Sequence, residues 1–377
     1  MAMHEHEPKM ARETVHPDIV THRRWSIFPE DVQAALKALG NGLRKRRIDE
    51  AALDTSLKAF EELSAQHIVQ ASAEIQELSH FYVFSDSGWK SRLERAMDGY
   101  SNLDHVSRFV THEPKLARLL MFHCNGYVRQ MALEAFKDPP QNGFEFAALV
   151  YRMNDWVPQV REAAASAFAR TTDCVPAAAI SGGLISLLPR TQEFRRWSER
   201  ERERFKACIE QPDVTRDIHR MMMGRPNGRI GAYFRLVLRN PLMDKHLPDF
   251  ASKASFPLVR ATAFEALITR RTRWFVGQDW QWIDKRHGLK RRTPRHDSRP
   301  VQHDLDLVAL IRQGAADRSV IVRKTVARAM VEARADLPDD VWESAKALAK
   351  DTSAAVRLHA EFFLKNVSGP GTSRHRD

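Results

Sequence analysis

Along most of this chain the apolar positions return with a helical period, and in places the periodic segment itself returns. The stretch DTSAAVRLHAEFFL, Asp351 to Leu364, has an acid at its head, a Val-Arg pair in the middle, Ala three residues after the Arg and Leu seven after. DRSVIVRKTVARAM from Asp317 and DWVPQVREAAASAF from Asp155 repeat the scheme. Aligned on the arginine, the series runs Arg129, Arg161, Arg229, Arg260, Arg323 and Arg357, at spacings of 32, 68, 31, 63 and 34 residues. These are single or double steps of one unit, the signature of an internal repeat. The residue before each arginine is Val128, Val160, Gly228, Val259, Val322 and Val356. Three residues on come Ala132, Ala164, Ala232, Ala263, Val326 and Ala360, and seven on come Phe136, Phe168, Leu236, Leu267, Met330 and Leu364. At 3.6 residues per turn these positions share one stripe, so each segment predicts a helix that buries it.

A second amphipathic segment precedes several of these helices: GFEFAALVYRM before Arg161, HDLDLVALIRQ before Arg323, PDDVWESAKALAK before Arg357. Short turns join them, often with Asn or Asp able to cap the second helix. A helical hairpin of this kind cannot bury its apolar face alone, and stacking such hairpins builds a continuous core. The expected fold is all-α: an α-solenoid of about seven to nine hairpins. The units resemble HEAT repeats over roughly residues 113–367. In that family the second helix opens with an acid and the Arg of a Val-Arg pair follows six residues on, as in Asp155/Arg161, Asp317/Arg323 and Asp351/Arg357. Units at Arg129, Arg229 and Arg260 carry His123, Met223 and Ala254 in the acid position. The resemblance implies a binding surface and a structural ladder made by these arginines and aspartates.

Two units break the pattern. Near residue 195 the chain reads EFRRWSERERERFKACIE, where Phe194, Trp197, Phe205 and Cys208 keep a stripe, which predicts a degenerate repeat with a charged outer face. Near 291 stands DKRHGLKRRTPRHDSRP, with Gly288, two prolines and no apolar periodicity, which predicts a loop. The expected organisation is a tail over 1–28, a helical cap or divergent repeats over 29–110, repeats over 111–270, a Trp- and Arg/Lys-rich insertion over 271–302, repeats over 303–367 and a tail over 368–377.

Composition narrows the function classes. Net charge is +11 over 377 residues. That favours an acidic partner, nucleic acid being the commonest. Three separated cysteines fit a reducing compartment and offer no metal spacing. No apolar run is long enough for a membrane span and the start has no secretory apolar core, so a cytoplasmic protein without membrane contact is expected.

The insertion holds the densest candidate chemistry. Residues 270–300 contain ten cations (Arg270, Arg271, Arg273, Lys285, Arg286, Lys290, Arg291, Arg292, Arg295 and Arg299) against Asp279, Asp284 and Asp297. Trp274, Trp280 and Trp282 interleave with them. Cations neutralise phosphates and indoles stack on unpaired bases, so this segment is the candidate site for nucleic acid or another polyanion, with Trp274 among its residues. Conventional catalytic and phosphate-binding motifs are absent, and neither the HEHE start nor His287 with His296 makes a metal set, so no metal or cofactor is expected. Cys124 beside His123 reads as a buried thiol, since neighbours on a helix point about 100° apart. Architecture and charge are also similar to the alkylpurine DNA glycosylases built on HEAT-like solenoids, which use an Asp flanked by tryptophans. Asp155 with Trp156 and Trp197 is the low-ranking match to that pattern. The leading expectation is a non-enzymatic scaffold or adaptor for a protein partner, with nucleic-acid binding as its rival.

Overall fold

The computed structural model describes residues 26–81, 107–191, 193–224 and 230–366. Both expected tails beyond these bounds, His4, His6, Arg229 and Gly228 lie outside the described residues. Within them the chain is predominantly helical. Helices α1 (Glu30–Arg44), α2 (Glu50–Glu62) and α3 (Ile68–Leu78) come first. The series continues with α4 (Ala117–Leu120), α5 (Gly126–Ala135), α6 (Gly143–Arg152), α7 (Pro158–Thr171), α8 (Ala177–Leu187), α9 (Glu199–Ile209) and α10 (Pro212–Met223). Then come α11 (Ile230–Val237), α12 (Leu247–Lys253) and α13 (Pro257–Ile268). Strands β1 (Arg271–Asp284) and β2 (Leu289–Pro300) follow, and α14 (Leu307–Ala315), α15 (Val320–Glu332), α16 (Trp342–Leu348) and α17 (Ala354–Asn366) complete the described residues.

Local chemistry sets where the helices begin. Asn125, Asn142 and Asp306 accept backbone N–H groups from the first turns of α5, α6 and α14. Pro158, Pro212 and Pro257 open α7, α10 and α13, where a missing N–H costs nothing. Ser198 and Glu201 form a reciprocal capping box on α9.

Consecutive helices pack in pairs: α4 with α5, α6 with α7, α12 with α13, α14 with α15, α16 with α17. Helices two apart pack too. One row joins α5 to α7 and runs from α11 through α13 and α15 to α17. The other joins α6, α8, α10 and α12 in turn, and α14 to α16. Buried apolar side chains from Phe28 to Phe363 form one connected cluster. Phe28 belongs to that core and Ile27 donates its N–H to Glu74, so the ordered body reaches into the expected 1–28 tail. At α6 and α8 the backbones touch, because a Cβ on Gly143 would lie 2.7 Å from the Gly182 carbonyl carbon.

The arginine-aligned stripe is buried in α5, α7, α13 and α15, and in α17 apart from the half-buried Leu364. In α11 the register differs. Ala232 is exposed and Leu236 half-buried, while Ile230, Tyr233, Phe234 and Val237 are buried. Alignment on Arg229 is therefore two residues out of phase, and Gly231 falls at the arginine position. Phe194 and Trp197 are buried as expected, but in the turn before α9 rather than on it.

The insertion is the main departure from the all-α expectation. Residues 271–300 form a long two-stranded antiparallel hairpin, not a loop. Gly288 supplies the positive φ of the turn (67°), and Gly277 (151°) stands at a register shift after Phe275. Pro294 is tolerated because a two-stranded ribbon leaves each strand one free edge. Beyond their base the strands are held by cross-strand pairing and not by burial. Among the described residues, no helix is long and apolar enough to cross a membrane.

Candidate nucleic-acid interface

The base of the hairpin is anchored to the helical body. Thr272, Trp274 and Val301 are buried, and Val301 N–H donates to the Arg270 carbonyl at 2.9 Å. Arg299 forks onto Asp244, at 2.8 Å through Nη1 and 2.5 Å through Nη2, and also donates to the Leu238 and Asn240 carbonyls. Arg273 pairs with Glu332 on α15, and the Arg239 guanidinium lies 5.5 Å from the Trp274 ring centroid. Trp274, Arg273 and Arg299 thus serve as fastenings, and the structure withdraws them from the predicted ligand surface.

Beyond Gly277 almost every side chain is exposed. Cross-strand register places Trp280 opposite Arg292 and Trp282 opposite Lys290. Residues two apart on a strand share a face, so both pairs point the same way. Lys290 Nζ is 3.9 Å from the Trp282 centroid and the Arg292 guanidinium carbon 4.9 Å from that of Trp280. The indoles remain 61% (Trp280) and 46% (Trp282) exposed. On the opposite face Arg291 donates to Gln281 Oε1 at 3.0 Å, and Arg295 lies 3.9 Å from Asp279. Lys285 and Arg286 occupy the turn, where Asp284 accepts from the Arg286 N–H and from His287. Those hydrogen bonds, the His287 side chain first, hold the Asp284 carboxyl below its ordinary range. Arg270 has a left-handed backbone (φ 51°) at the α13–β1 junction, and Arg271 beside it is exposed.

The sequence names all three tryptophans and keeps only Trp274 among the site residues, whereas the exposure favours Trp280 and Trp282. The available signal was the pair of alternations Trp280-x-Trp282 and Lys290-x-Arg292, placed symmetrically about Arg286 in a turn that contains Gly288.

The repeated arginines occupy a different place. Arg129 forks onto Asp155 (3.0 and 2.8 Å), Arg260 onto Asp317 (2.8 and 3.0 Å) and Arg323 onto Asp351 (2.6 and 3.2 Å). In each case the remaining nitrogen donates to the carbonyl six residues earlier: His123, Ala254 and Asp317. Arg161 and Arg357 make only the backward bonds, to Asp155 and Asp351 carbonyls, and have no carboxylate partner among the described residues. Arg129, Arg260 and Arg323 therefore each reach forward to an acid that precedes a later helix. Arg129 and Arg260 need no acid at the head of their own helix, and His123 and Ala254 there are immaterial.

Asp155 is closed to substrate. Its carboxylate is 1% exposed and accepts from Arg129, from Arg152 at 3.0 Å and from the Val157 N–H at 3.0 Å. Burial alone would raise its pKa, but the hydrogen bonds from Arg129 and Val157 and the two guanidinium charges leave it below the usual range. Trp197 is packed between Phe194 and Phe205, and of the trio only Trp156 is exposed. Cys124 is half-buried and lies in the turn before α5 rather than on a helix, with Sγ 3.9 Å from His123 Nδ1. Burial raises the thiol pKa and that nitrogen accepts the Asn125 N–H, so the thiol is not activated. Among the described residues no three His, Cys, Asp or Glu side chains are grouped to hold a metal. Compared with known proteins, the chain matches no family model and no curated protein.

Proposed function

We infer that this is a non-enzymatic binding protein of the HEAT-like α-solenoid type, whose projecting hairpin holds an acidic macromolecule, nucleic acid being the ligand class. Solenoid stacking is supported by the two rows of helices packed two apart and by the repeated Arg–Asp forks between units. The observation that carries the ligand class is the exposed hairpin face, where two indoles each lie beside a cation. Cations supply phosphate attraction and indoles supply stacking, a combination suited to nucleic acid. Arg271, Lys285, Arg286, Arg291 and Arg295 add to the field. A protein partner finds separate support in Leu358 and Phe362, exposed one turn apart on α17.

The test is fluorescence anisotropy of a labelled oligonucleotide over a salt series. Affinity is expected to fall steeply as salt rises, and the triple variant K290E/R291E/R292E is expected to abolish binding. Binding that ignores salt, or that survives the triple charge reversal, would remove the hairpin as the site.

A further inference from the structure

Nucleic acid reaches a protein in two forms that present different chemistry. A duplex shows base edges in its grooves and keeps the base faces covered by their neighbours. A single strand exposes those faces. The outer hairpin face carries Gln278, Trp280 and Trp282 on one strand and Pro294, Arg292 and Lys290 on the other, in unbroken register from Gly277 to Trp282. Gln278, Arg292 and Lys290 carry groups able to meet a base edge, but both cations already lie over the indoles, and an indole brings one N–H and Pro294 none. What it has are two large aromatic surfaces in solvent.

The geometry points to single-stranded nucleic acid as the ligand of this face, stacked on Trp280 and Trp282 with Arg292 and Lys290 held for the flanking phosphates. This rests on the reading of the hairpin as a nucleic-acid site. Spacing fits: residues two apart on a strand are about 6.7 Å apart, about twice the 3.4 Å step between stacked bases. A base can therefore lie against either ring without displacing the other. A cation lies over each indole, and the two residues nevertheless stay 61% and 46% exposed. A lipid surface would suit the same tryptophans together with exposed Ile283 and Leu289. The turn between those two residues, however, is Asp284, Lys285, Arg286, His287 and Gly288, so the leading edge of the hairpin is charged and would be desolvated first.

The experiment compares a labelled oligothymidine, a duplex of equal length and anionic phosphatidylglycerol vesicles, using the full chain at one salt concentration. The single strand is expected to bind more tightly than the duplex. Trp280→Ala and Trp282→Ala are each expected to weaken the single strand by about 5- to 100-fold and leave the duplex unchanged. Trp282→Phe is expected to retain most of the affinity, which separates lost stacking from lost folding. Equal affinity for both forms, with the alanine variants unaffected, overturns the single-strand assignment and leaves the hairpin reading standing. Failure of both nucleic acids to bind overturns both. Vesicle binding that needs both tryptophans and displaces the oligonucleotide assigns the face to lipid instead.

Discussion

The forked arginines divide into those that hold an acid and those that do not, and this division can be measured. Asp155 compensates two buried guanidinium groups, Arg129 and Arg152. Removing one partner of such a buried cluster strands the remaining charge, so Asp155→Asn is expected to destabilise the fold by about 3–5 kcal/mol. Arg357 gives up only bonds to two backbone carbonyls, so Arg357→Leu is expected to cost about 1 kcal/mol. Urea unfolding midpoints compare the two; equal costs would refute a ladder role for the paired arginines. A pH effect belongs to the same scale. Burial, then the Arg129 charge, lowers the His123 pKa from 6.5 to about 4, and its Nδ1 accepts the Asn125 N–H. Between those values the unfolded chain takes up a proton that the folded chain refuses. The stability His123 contributes is thus full above pH 6.5 and falls as pH drops towards 4, by on the order of 2–3 kcal/mol. His123→Asn is expected to flatten that part of a stability-versus-pH curve from chemical denaturation. Asp351, held below its usual range by Arg323, acts only lower down: its share is lost as pH falls below its ordinary 3.8.

Among the elements, helices were the legible part because each buries a stripe against neighbours, and burial imposes the 3.6-residue period on the sequence. The hairpin reads as a loop in the sequence for the converse reason: its outer half is exposed and pairs only with itself. Its aromatic and β-branched residues, Thr272 to Ile283, were the sign of strand. The hidden base and free outer half have an experimental consequence. Replacing 278–294 with a two-residue Asn-Gly turn keeps Thr272, Trp274 and Arg299 in place. Thermal melting by circular dichroism is expected to stay within a few degrees of the full chain, while oligonucleotide binding disappears. A large drop in melting temperature would mean that the outer hairpin supports the body.

At the scale of the whole molecule, the helices differ in how many other elements they pack against. Helix α13 packs on α11, α12, α14, α15 and β1, whereas α17 packs on α15 and α16. Hydrogen exchange is expected to show α17 amides opening at lower free energy than those of α13, since α17 packs on fewer of the described elements. Uniform protection across both helices would contradict this arrangement. From the sequence alone came the helical segments and the buried stripe in five of its six aligned copies. Both follow from local periodicity, which any residue run displays without reference to the rest of the chain. Only the tertiary structure decided that Arg129, Arg260 and Arg323 reach forward to Asp155, Asp317 and Asp351, that Asp155 is enclosed by two guanidinium groups, and that Trp274 is covered while Trp280 and Trp282 face solvent. Those outcomes depend on which side chains meet across 26 to 59 residues of intervening chain, as in Arg129 with Asp155 and Arg273 with Glu332. Such distances are set by the packing of whole elements, and no local pattern encodes them.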